Sequence, residues 1–429
     1  MTEQSASEKF DWASPAFTNR LNKRKRSQLI LKTLGLTAIS IAFAMLFLLV
    51  ASLISTGHHA FTQTHIEVEV FLDPEQIDAD NPNSGNYRQI ITDTLITQFP
   101  EVADDRAELR KLTSILSNGA QFTIRDSVVA NPDLIGQTVA FNVPVSDPYD
   151  QLNKNLMDRE TPEANRRLKD DEIANFDMLK ERGMVTKPLN TALITNADSR
   201  FPELAGLKGA IIGSFYALLT CFLLSFPIGI GAAIYLEEFA PKNKVSDLIE
   251  ININNLAAVP SVVFGLLGLA VFLGWFGMPR SAPFVGGMVL ALMTLPTIII
   301  ATRAALKAVP PSIREAALGV GASKQQVVFQ HVLPLAMPGI LTGTIIGLAQ
   351  ALGETAPLLL IGMNAFITSA PDTPFDSATA LPTQIFIWAD SPERGFVSRT
   401  SAAILVLLTF LVTMNAVAIY LRNKFERKW

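Results

Sequence analysis

Six long apolar runs constrain the fold of this chain more than any other feature of its sequence. They cover residues 33–54, 207–236, 251–275, 284–305, 337–361 and 401–421. A helix rises about 1.5 Å per residue, so each run is long enough to cross a hydrocarbon core of about 30 Å. Only 17% of the 429 residues are charged, which is low for a soluble protein. The runs therefore predict an all-α polytopic membrane protein with six transmembrane helices.

The distribution of basic residues predicts how these helices are oriented across the membrane. A basic cluster from Arg20 to Arg26 precedes the first run, and lysine and arginine concentrate in the cytoplasmic segments of membrane proteins. This predicts a cytoplasmic tail at residues 1–29 and a first transmembrane helix at 30–54, which is too long for the apolar core of a cleaved signal peptide. Six crossings place both termini in the cytoplasm. Most remaining basic residues outside the long loop at 55–204 then fall in inside loops.

An acidic segment separates the first two runs. Residues 55–204 carry 25 acidic and 14 basic side chains, whereas the rest of the chain carries 14 and 21. Such a block predicts a water-exposed extracytoplasmic domain and argues against nucleic acid as a partner.

The pattern inside this segment predicts a small α+β domain inserted after the first helix. Strand-like alternation occurs at residues 66–70 and again at 122–125, and residues 151–184 are polar with helical spacing. The expected packing positions of that helical stretch are Leu156, Leu168, Phe176 and Leu179. Three histidines follow the first run without regular ligand spacing, so no metal site is expected.

The loop at residues 308–335 is longer than two antiparallel helices need. Ser312 and Glu315 have the spacing of a capping box, and Ser323 and Gln326 repeat it. One short helix is therefore predicted to start at each serine, and Gly319 and Gly321 are expected to supply the turn between them. The loop is expected to form a helix-turn-helix on the cytoplasmic surface.

The same loop carries a family resemblance. Its order Glu315-Ala316-Ala317, then Gly321, then Leu333-Pro334 resembles the EAA loop of permease subunits of type I ABC importers. In that family the loop contains a coupling helix that docks on the ATP-hydrolysing subunit. The residues expected to couple to the ATPase are Ser312, Glu315, Ala316, Ala317, Gly321, Ser323 and Pro334. The chain has no GxxxxGK[ST] phosphate-binding loop, so no cofactor is expected in it, and ATP and Mg are expected on a partner ATPase.

Four further segments, at residues 259–265, 295–303, 352–358 and 388–392, resemble the A-type permease of bacterial phosphate-specific transport systems. The resemblance covers about half the chain and implies a transport domain at 205–429, in a multi-pass protein of the bacterial inner membrane. It implies a C-type permease as heterodimer partner, an ATPase dimer and a periplasmic phosphate-binding protein. It also implies that the transport subunit itself is not an enzyme. The acidic segment resembles an N-terminal extension of some members.

Several residues are candidates for the phosphate path. Glu354 is the one carboxylate inside a predicted span, and such a charge costs several kcal/mol unless it is paired, hydrated or protonated. Glu354 either accepts the O–H of protonated phosphate, which sulfate lacks, or pairs with a cation as a structural lock. Arg303 is either a membrane anchor or a cation that guides phosphate. Hydroxyl donors along the path are Ser261, Thr297, Thr302 and Thr355, each of which is equally able to bond its own helix.

Two alternatives to a phosphate permease remain open on the sequence. The first alternative is a permease for another oxyanion, such as molybdate, sulfate or phosphonate. The second is a membrane sensor whose acidic domain binds a signal, although its cytoplasmic segments are too short for a signalling module.

Overall fold

The computed structural model describes residues 15–100 and 105–425. Two compact units divide the chain after residue 55. The first unit is described from the start of helix α1 (Pro15–Gly57), which continues two residues past the boundary. This helix contains a stretch long and apolar enough to cross a membrane, as the sequence predicts. Of the predicted tail at residues 1–29, residues 1–14 lie outside the described part of the chain.

The acidic insert, called here the insert domain (residues 58–204), contains a three-stranded antiparallel sheet. Its strands are β1 (His65–Phe71), β2 (Thr138–Pro144) and β3 (Val185–Thr186), in the order β2-β1-β3. Ile66, Val68 and Val70 of β1 are buried while Glu67 and Glu69 alternate with them on the exposed face. Five helices share the hydrophobic core of this sheet: α2 (Tyr87–Gln98), α3 (Arg106–Ile115), α4 (Ala120–Ala130), α5 (Asp147–Asn153) and α6 (Asp170–Glu181). A sixth helix, α7 (Ala192–Thr195), instead contacts the first helix after the insert domain. The predicted α+β fold is confirmed.

Two local predictions in the insert domain are wrong. Residues 122–125 are not a strand but lie inside α4, where Ile124 and Val128 are buried one turn apart. Four alternating residues are too few to distinguish the two-residue period of a strand from the 3.6-residue period of a helix. The buried pair at positions i and i+4 indicates the helix. Residues 151–184 are helical at the end of α5, in a 3-10 turn at Glu163–Asn165 and along α6, and not continuously. Phe176 and Leu179 are buried as expected, whereas Leu156 is 45% exposed.

Ten helices in the described part of residues 208–425 form the membrane region. They are α8 (Lys208–Ile234), α9 (Lys244–Ala257), α10 (Ser261–Leu267), α11 (Pro283–Ala308), α12 (Pro311–Gly319), α13 (Lys324–Gln326), α14 (Leu333–Gly353), α15 (Ala356–Leu360), α16 (Leu381–Ala389) and α17 (Gly395–Phe425). Helix α11 packs between α8 and α14. The approach to α8 is close at Gly287, where a Cβ would lie 2.4 Å from the Cβ of Thr220.

The span predicted at residues 251–275 is not one straight helix. Helix α9 and the helical stretch Ser261–Trp275 meet at an angle of 102°. Pro260 lies at the bend with an extended backbone, and proline disfavours a helical conformation at the residue before it. The described residues therefore hold five straight helices long enough to cross a membrane, or six spans if the bent pair counts as one.

The span predicted at residues 337–361 begins and ends at different residues in the structure. A continuous helical stretch runs from Lys324 to Gly353 and includes the π-helical segment Val327–Val332. This helix ends at Glu354, and α15 begins two residues later. The predicted carboxylate within a span thus lies at a helix break.

Buried polar contacts join the insert domain to α16 and α17. Arg399 of α17 is 4% exposed and donates to the carbonyl oxygen of Ala205 (2.8 Å) and to Oε1 of Gln63 (3.0 Å). The indole N–H of Trp388 donates to Oδ1 of Asp198 at 2.9 Å. Because unpaired buried polar groups are costly, these contacts fix the insert domain to α16 and to the start of α17.

Replacing Glu203 by glutamine is expected to raise the thermal stability of the protein above pH 6. Glu203 is buried, accepts a hydrogen bond from Ser117 Oγ at 2.6 Å, and burial raises the pKa of its carboxyl group. The folded state then holds a proton more tightly than the unfolded state, so wild-type stability falls as the pH rises from the ordinary glutamate pKa through the raised one. Glutamine keeps the acceptor oxygen and removes the charge.

The measurement is the unfolding temperature of the full chain in detergent between pH 4 and pH 8. The gap between Glu203→Gln and wild type should widen as the pH rises, while the exposed Glu181→Gln control should show no such trend. A gap that does not depend on pH contradicts the expectation.

Candidate functional site

The first helix of the 308–335 loop is α12, and it starts differently from the prediction. Pro310 is the N-cap, with φ −55° and ψ 140°, and Pro311 is the first helical residue. Proline suits that position because its fixed φ is helical and its missing N–H would be unpaired there. Ser312 is exposed in the first turn and caps nothing, so the predicted capping box with Glu315 is wrong.

The second predicted helix start is confirmed. The backbone N–H of Ser323 donates to Oε1 of Gln326 at 2.8 Å, and the N–H of Gln326 donates to Oγ of Ser323 at 3.3 Å. Gly321 precedes this box with φ +89°, in the left-handed region. The helix that follows is not short, because it continues to Gly353.

Replacing Gly321 by valine is expected to loosen the turn between α12 and α13. A φ of +89° costs an L-residue about 1–2 kcal/mol, and more when the side chain is β-branched. Hydrogen exchange of the amides at residues 311–326 should therefore be about tenfold faster in Gly321→Val than in wild type. Gly319→Val is the matched control, since that glycine has no positive φ and a Cβ there meets nothing within 4 Å. Equal exchange in both variants would contradict the strain argument.

Apolar side chains are exposed at the C-terminal end of α12. Ala317 is buried, and Glu315 and Ala316 are exposed. Leu318 is 53% exposed and Val320, just beyond the helix, is 86% exposed. Exposed apolar residues rimmed by polar ones are typical of a surface that binds another protein.

Arg314 ties α12 to the ends of two membrane helices. Its Nη2 lies 2.7 Å from Oε1 of Glu238, which follows α8. The same guanidinium donates to the carbonyl oxygens of Leu306 (2.9 Å) and Val309 (2.8 Å) at the end of α11. The side chains of Arg314 and Glu238 are 24% and 10% exposed. Arg314 therefore attaches α12 to the ends of both α8 and α11.

Arg303 joins the same end of the bundle. Its Nη2 lies 2.8 Å from Oε2 of Glu250 on α9, and its Nε lies 3.3 Å from Oε2 of Glu237. Lys307 approaches Glu237 at 3.6 Å. Arg303 is thus held by two carboxylates, and to guide an anion it would have to release them.

The acid pair 237–238 therefore connects a predicted path residue, Arg303, with the coupling loop. The sequence did not identify Glu237, Glu238 and Glu250 as the partners of these arginines. In a hydropathy profile, acidic residues beside an apolar run only mark where that run begins or ends. One signal in the sequence was available. An acidic pair follows one predicted span, and Arg303, Lys307 and Arg314 lie on the same predicted side of the membrane.

Pro334 lies within the long helix from Lys324 to Gly353, directly after the π-helical segment Val327–Val332. Proline has no N–H, so the preceding turn lacks one hydrogen bond, and such gaps accompany widened or bent helix. Val327, Val328 and Val332 are buried beneath α12. The proline therefore lies where the loop meets the membrane helix.

Glu354 lies at the break between α14 and α15. Its backbone N–H reaches the carbonyl oxygen of Ala351 at 3.3 Å, and its side chain is half-buried. Throughout residues 15–100 and 105–425, no lysine, arginine or histidine nitrogen lies within 4.0 Å of its carboxylate. Thr355, the N-cap of α15, is next to it.

The other hydroxyl candidates are dispersed. Ser261 begins α10 at the bend, and α10 packs on α15 through Gly265, where a Cβ would lie 2.7 Å from Cα of Pro357. Thr297 of α11 is half-buried, and its Cγ2 would lie 3.8 Å from a Cβ on Gly347 of α14. Of the hydroxyl candidates, only Thr355 is next to Glu354 in the chain. Arg303 is bound to Glu237 and Glu250 at the end of the bundle where α12 attaches.

Comparisons with known proteins match two parts of the chain. A family model described as "Binding-protein-dependent transport system inner membrane component" matches residues 225–429. A model described as a domain of unknown function, DUF3333, matches residues 18–163.

Individual relatives match about half of the chain. The phosphate transport system permease protein PstA 1 of Mycobacterium tuberculosis is 31% identical over 224 residues, which are 52% of this chain and 72% of that protein. The probable ABC transporter permease protein YqgI of Bacillus subtilis is 29% identical over 245 residues, 53% of this chain and 82% of that protein. An inward-facing structure of the MetNI methionine ABC transporter has a TM-score of 0.42 at 16% identity, covering 52% of this chain and 98% of that chain.

Proposed function

The chain belongs to the family of binding-protein-dependent ABC transporter permeases, and we propose that it is the subunit through which phosphate crosses the bacterial inner membrane. As a permease of this family it is a multi-pass inner-membrane transport subunit, not an enzyme. Its family implies a separate ATPase and a substrate-binding protein as partners. The proposal adds that the cargo is phosphate, as in the name of the relative PstA 1.

The proposed assembly contains four kinds of subunit. A C-type permease forms the second half of the path, an ATPase dimer binds ATP and Mg, and a periplasmic protein delivers phosphate. The insert domain then lies in the periplasm, and both termini lie in the cytoplasm. The excess of basic residues outside the insert domain supports this orientation.

The observation that carries the coupling role is the attachment of α12. Its exposed residues Leu318 and Val320 offer an apolar contact to the ATPase, and Arg314 links the helix to α8 and α11. A movement of the ATPase surface is then passed to the membrane helices by hydrogen bonds and not through a flexible loop. In such a cycle, ATP binding and hydrolysis shift the permeases between outward-open and inward-open states.

Glu354 is proposed as the phosphate contact in the path. Phosphate at neutral pH keeps at least one proton, and a carboxylate accepts a hydrogen bond from that O–H. Fully deprotonated sulfate offers no such donor and is repelled. The half-buried position at a helix break and the lack of a cation within the described residues support this role. A lock between Glu354 and the second permease is the competing role.

Competitive uptake tests the cargo. Proteoliposomes with the assembled complex would take up radiolabelled phosphate in the presence of excess molybdate, sulfate or phosphonate. We expect unlabelled phosphate to suppress the signal and the other anions to leave it nearly unchanged. Suppression by another anion at a lower concentration than phosphate would assign the permease to that anion.

A further inference from the structure

A cavity of about 770 Å³ in the insert domain is lined by four arginines. Arg88 lies on α2, Arg110 on α3, and Arg167 and Arg200 on connecting segments. Four side chains from separate parts of the chain thus converge on one space. Its volume lies within the range of about 300–1,000 Å³ that small-molecule sites occupy.

Three of these guanidinium groups have no carboxylate partner in the described ranges 15–100 and 105–425. Arg167 lies 3.4 Å from Oδ2 of Asp147. Arg200 lies over the ring of Phe366 at 5.4 Å, and neither Arg88 nor Arg110 is in an ion pair there. The cavity is locally basic although the surrounding segment, residues 55–204, has 25 acidic and 14 basic side chains.

The carboxylates in the lining are already engaged. Asp147 accepts from Nε2 of Gln151 at 2.7 Å as well as pairing with Arg167. Glu203 accepts from Ser117, and burial raises the pKa of its carboxyl group. Glu393 accepts from Oγ of Ser391 at 2.5 Å. Hydrogen bonds from neutral donors do not remove the charge of a carboxylate, so the lining holds four arginines against three carboxylates. The balance is still positive, and three of the four arginines are unpaired within the described residues.

Neutral donors face the same space. Ser114, Asn118 and Gln121 line the cavity, and the N-terminus of the eleven-residue helix α4 opens beside them with no side-chain cap at Gly119. The first N–H groups of α4 are largely bonded within the turn, since Ala120 donates to the carbonyl oxygen of Ser117 and Phe122 to that of Gly119. The neutral side chains therefore supply the donors, and the helix terminus does not. These side chains add to the arginines, which form bidentate hydrogen bonds with phosphate oxygens.

We propose that this cavity binds a soluble anionic ligand with at least two phosphate-like groups, of the pyrophosphate or organic phosphate class. One orthophosphate ion fills only a small part of 770 Å³, whereas a ligand with two phosphate-like groups can use more of the lining. The proposal concerns a site in the insert domain and does not depend on what crosses the membrane.

Calorimetric titration of the full chain in nanodiscs of neutral lipid tests it, with pyrophosphate as the probe at constant ionic strength. Pyrophosphate should bind at one site and orthophosphate at least tenfold more weakly. Arg110→Gln and Arg88→Gln should each weaken pyrophosphate binding about tenfold, the effect of one lost charge-assisted hydrogen bond. Arg106→Gln is the matched control, because Arg106 is exposed one turn earlier on the same helix and does not line the cavity.

Three results would overturn the proposal: no pyrophosphate binding, equal weakening by Arg106→Gln and Arg110→Gln, or orthophosphate binding as tight as pyrophosphate. The unfolding temperature of each variant shows that it is folded, and two arginines on different helices guard against a local folding defect. Glu354→Gln should leave the titration unchanged, which separates this site from the transport path.

Discussion

Replacing Arg314 by methionine is expected to uncouple ATP hydrolysis from transport. The change leaves Glu238, whose side chain is 10% exposed, without its cation and removes the donors to the carbonyl oxygens of Leu306 and Val309. Loss of a partly buried pair of this kind costs about 2–3 kcal/mol. The α12 helix should then move without α8 and α11. Uptake by the reconstituted complex should fall about tenfold or more, while ATP hydrolysis continues.

Uptake per ATP hydrolysed is the decisive measurement for Arg314→Met. Lys307→Met is the matched control, because Lys307 is 56% exposed and Glu237 keeps Arg303 when the lysine is lost. Hydrogen exchange at residues 311–319 gives a readout that does not require the cargo to be known, and it should accelerate only in Arg314→Met. If uptake and exchange both match wild type, α12 is not held through Arg314.

Part of the loss should be recovered by a second substitution. In Glu238→Gln with Arg314→Met no uncompensated charge remains, and replacing both partners of a buried pair is less costly than removing one. The double variant should therefore show slower exchange at α12 than Arg314→Met alone. The lost bonds to Leu306 and Val309 should keep the recovery incomplete.

Replacing Glu354 by glutamine is expected to reduce phosphate uptake about tenfold, because the amide oxygen accepts a weaker hydrogen bond from the phosphate O–H than the ionised carboxylate does. Glutamine has nearly the same shape, so the break between α14 and α15 should persist. Copurification with the second permease and the ATPase should be unchanged. Gln350→Ala, one turn earlier and exposed, is the matched control and should transport normally.

The two roles of Glu354 give different results. If it contacts phosphate, Glu354→Gln assembles normally and discriminates less well against sulfate. Loss of the second permease from the purified complex would instead assign Glu354 to a subunit lock. Normal uptake in an intact complex removes it from the mechanism.

The straight spans were predictable from the sequence because a long apolar run has few other stable conformations in a membrane. The bend between α9 and α10 was not, since hydropathy measures how apolar a run is and not its direction. Pro260 was the signal for it. The capping box at Ser323 was predicted correctly, whereas at Ser312 the adjacent prolines moved the helix start to Pro311.

The ion pairs around α12 were not predictable from the sequence. Arg303 and Arg314 were visible as cations, but their partners Glu237, Glu238 and Glu250 belong to other helices. Pairing across helices depends on how the helices pack, which no local pattern contains. The arginine cavity was missed for the same reason, because its four arginines are spread over more than 100 residues of an acidic segment.

The buried contacts of Arg399 and Trp388 limit how the insert domain can be removed by truncation. A chain that lacks residues 62–203 keeps both side chains but loses Gln63 and Asp198, two of the groups that accept their hydrogen bonds. The start of α17 would then lose an acceptor of the Arg399 guanidinium, and α16 would lose the acceptor of the Trp388 indole N–H. An inactive truncated transporter would therefore report damage to its last membrane helix, and the contribution of the missing segment has to be measured by point substitutions on its surface.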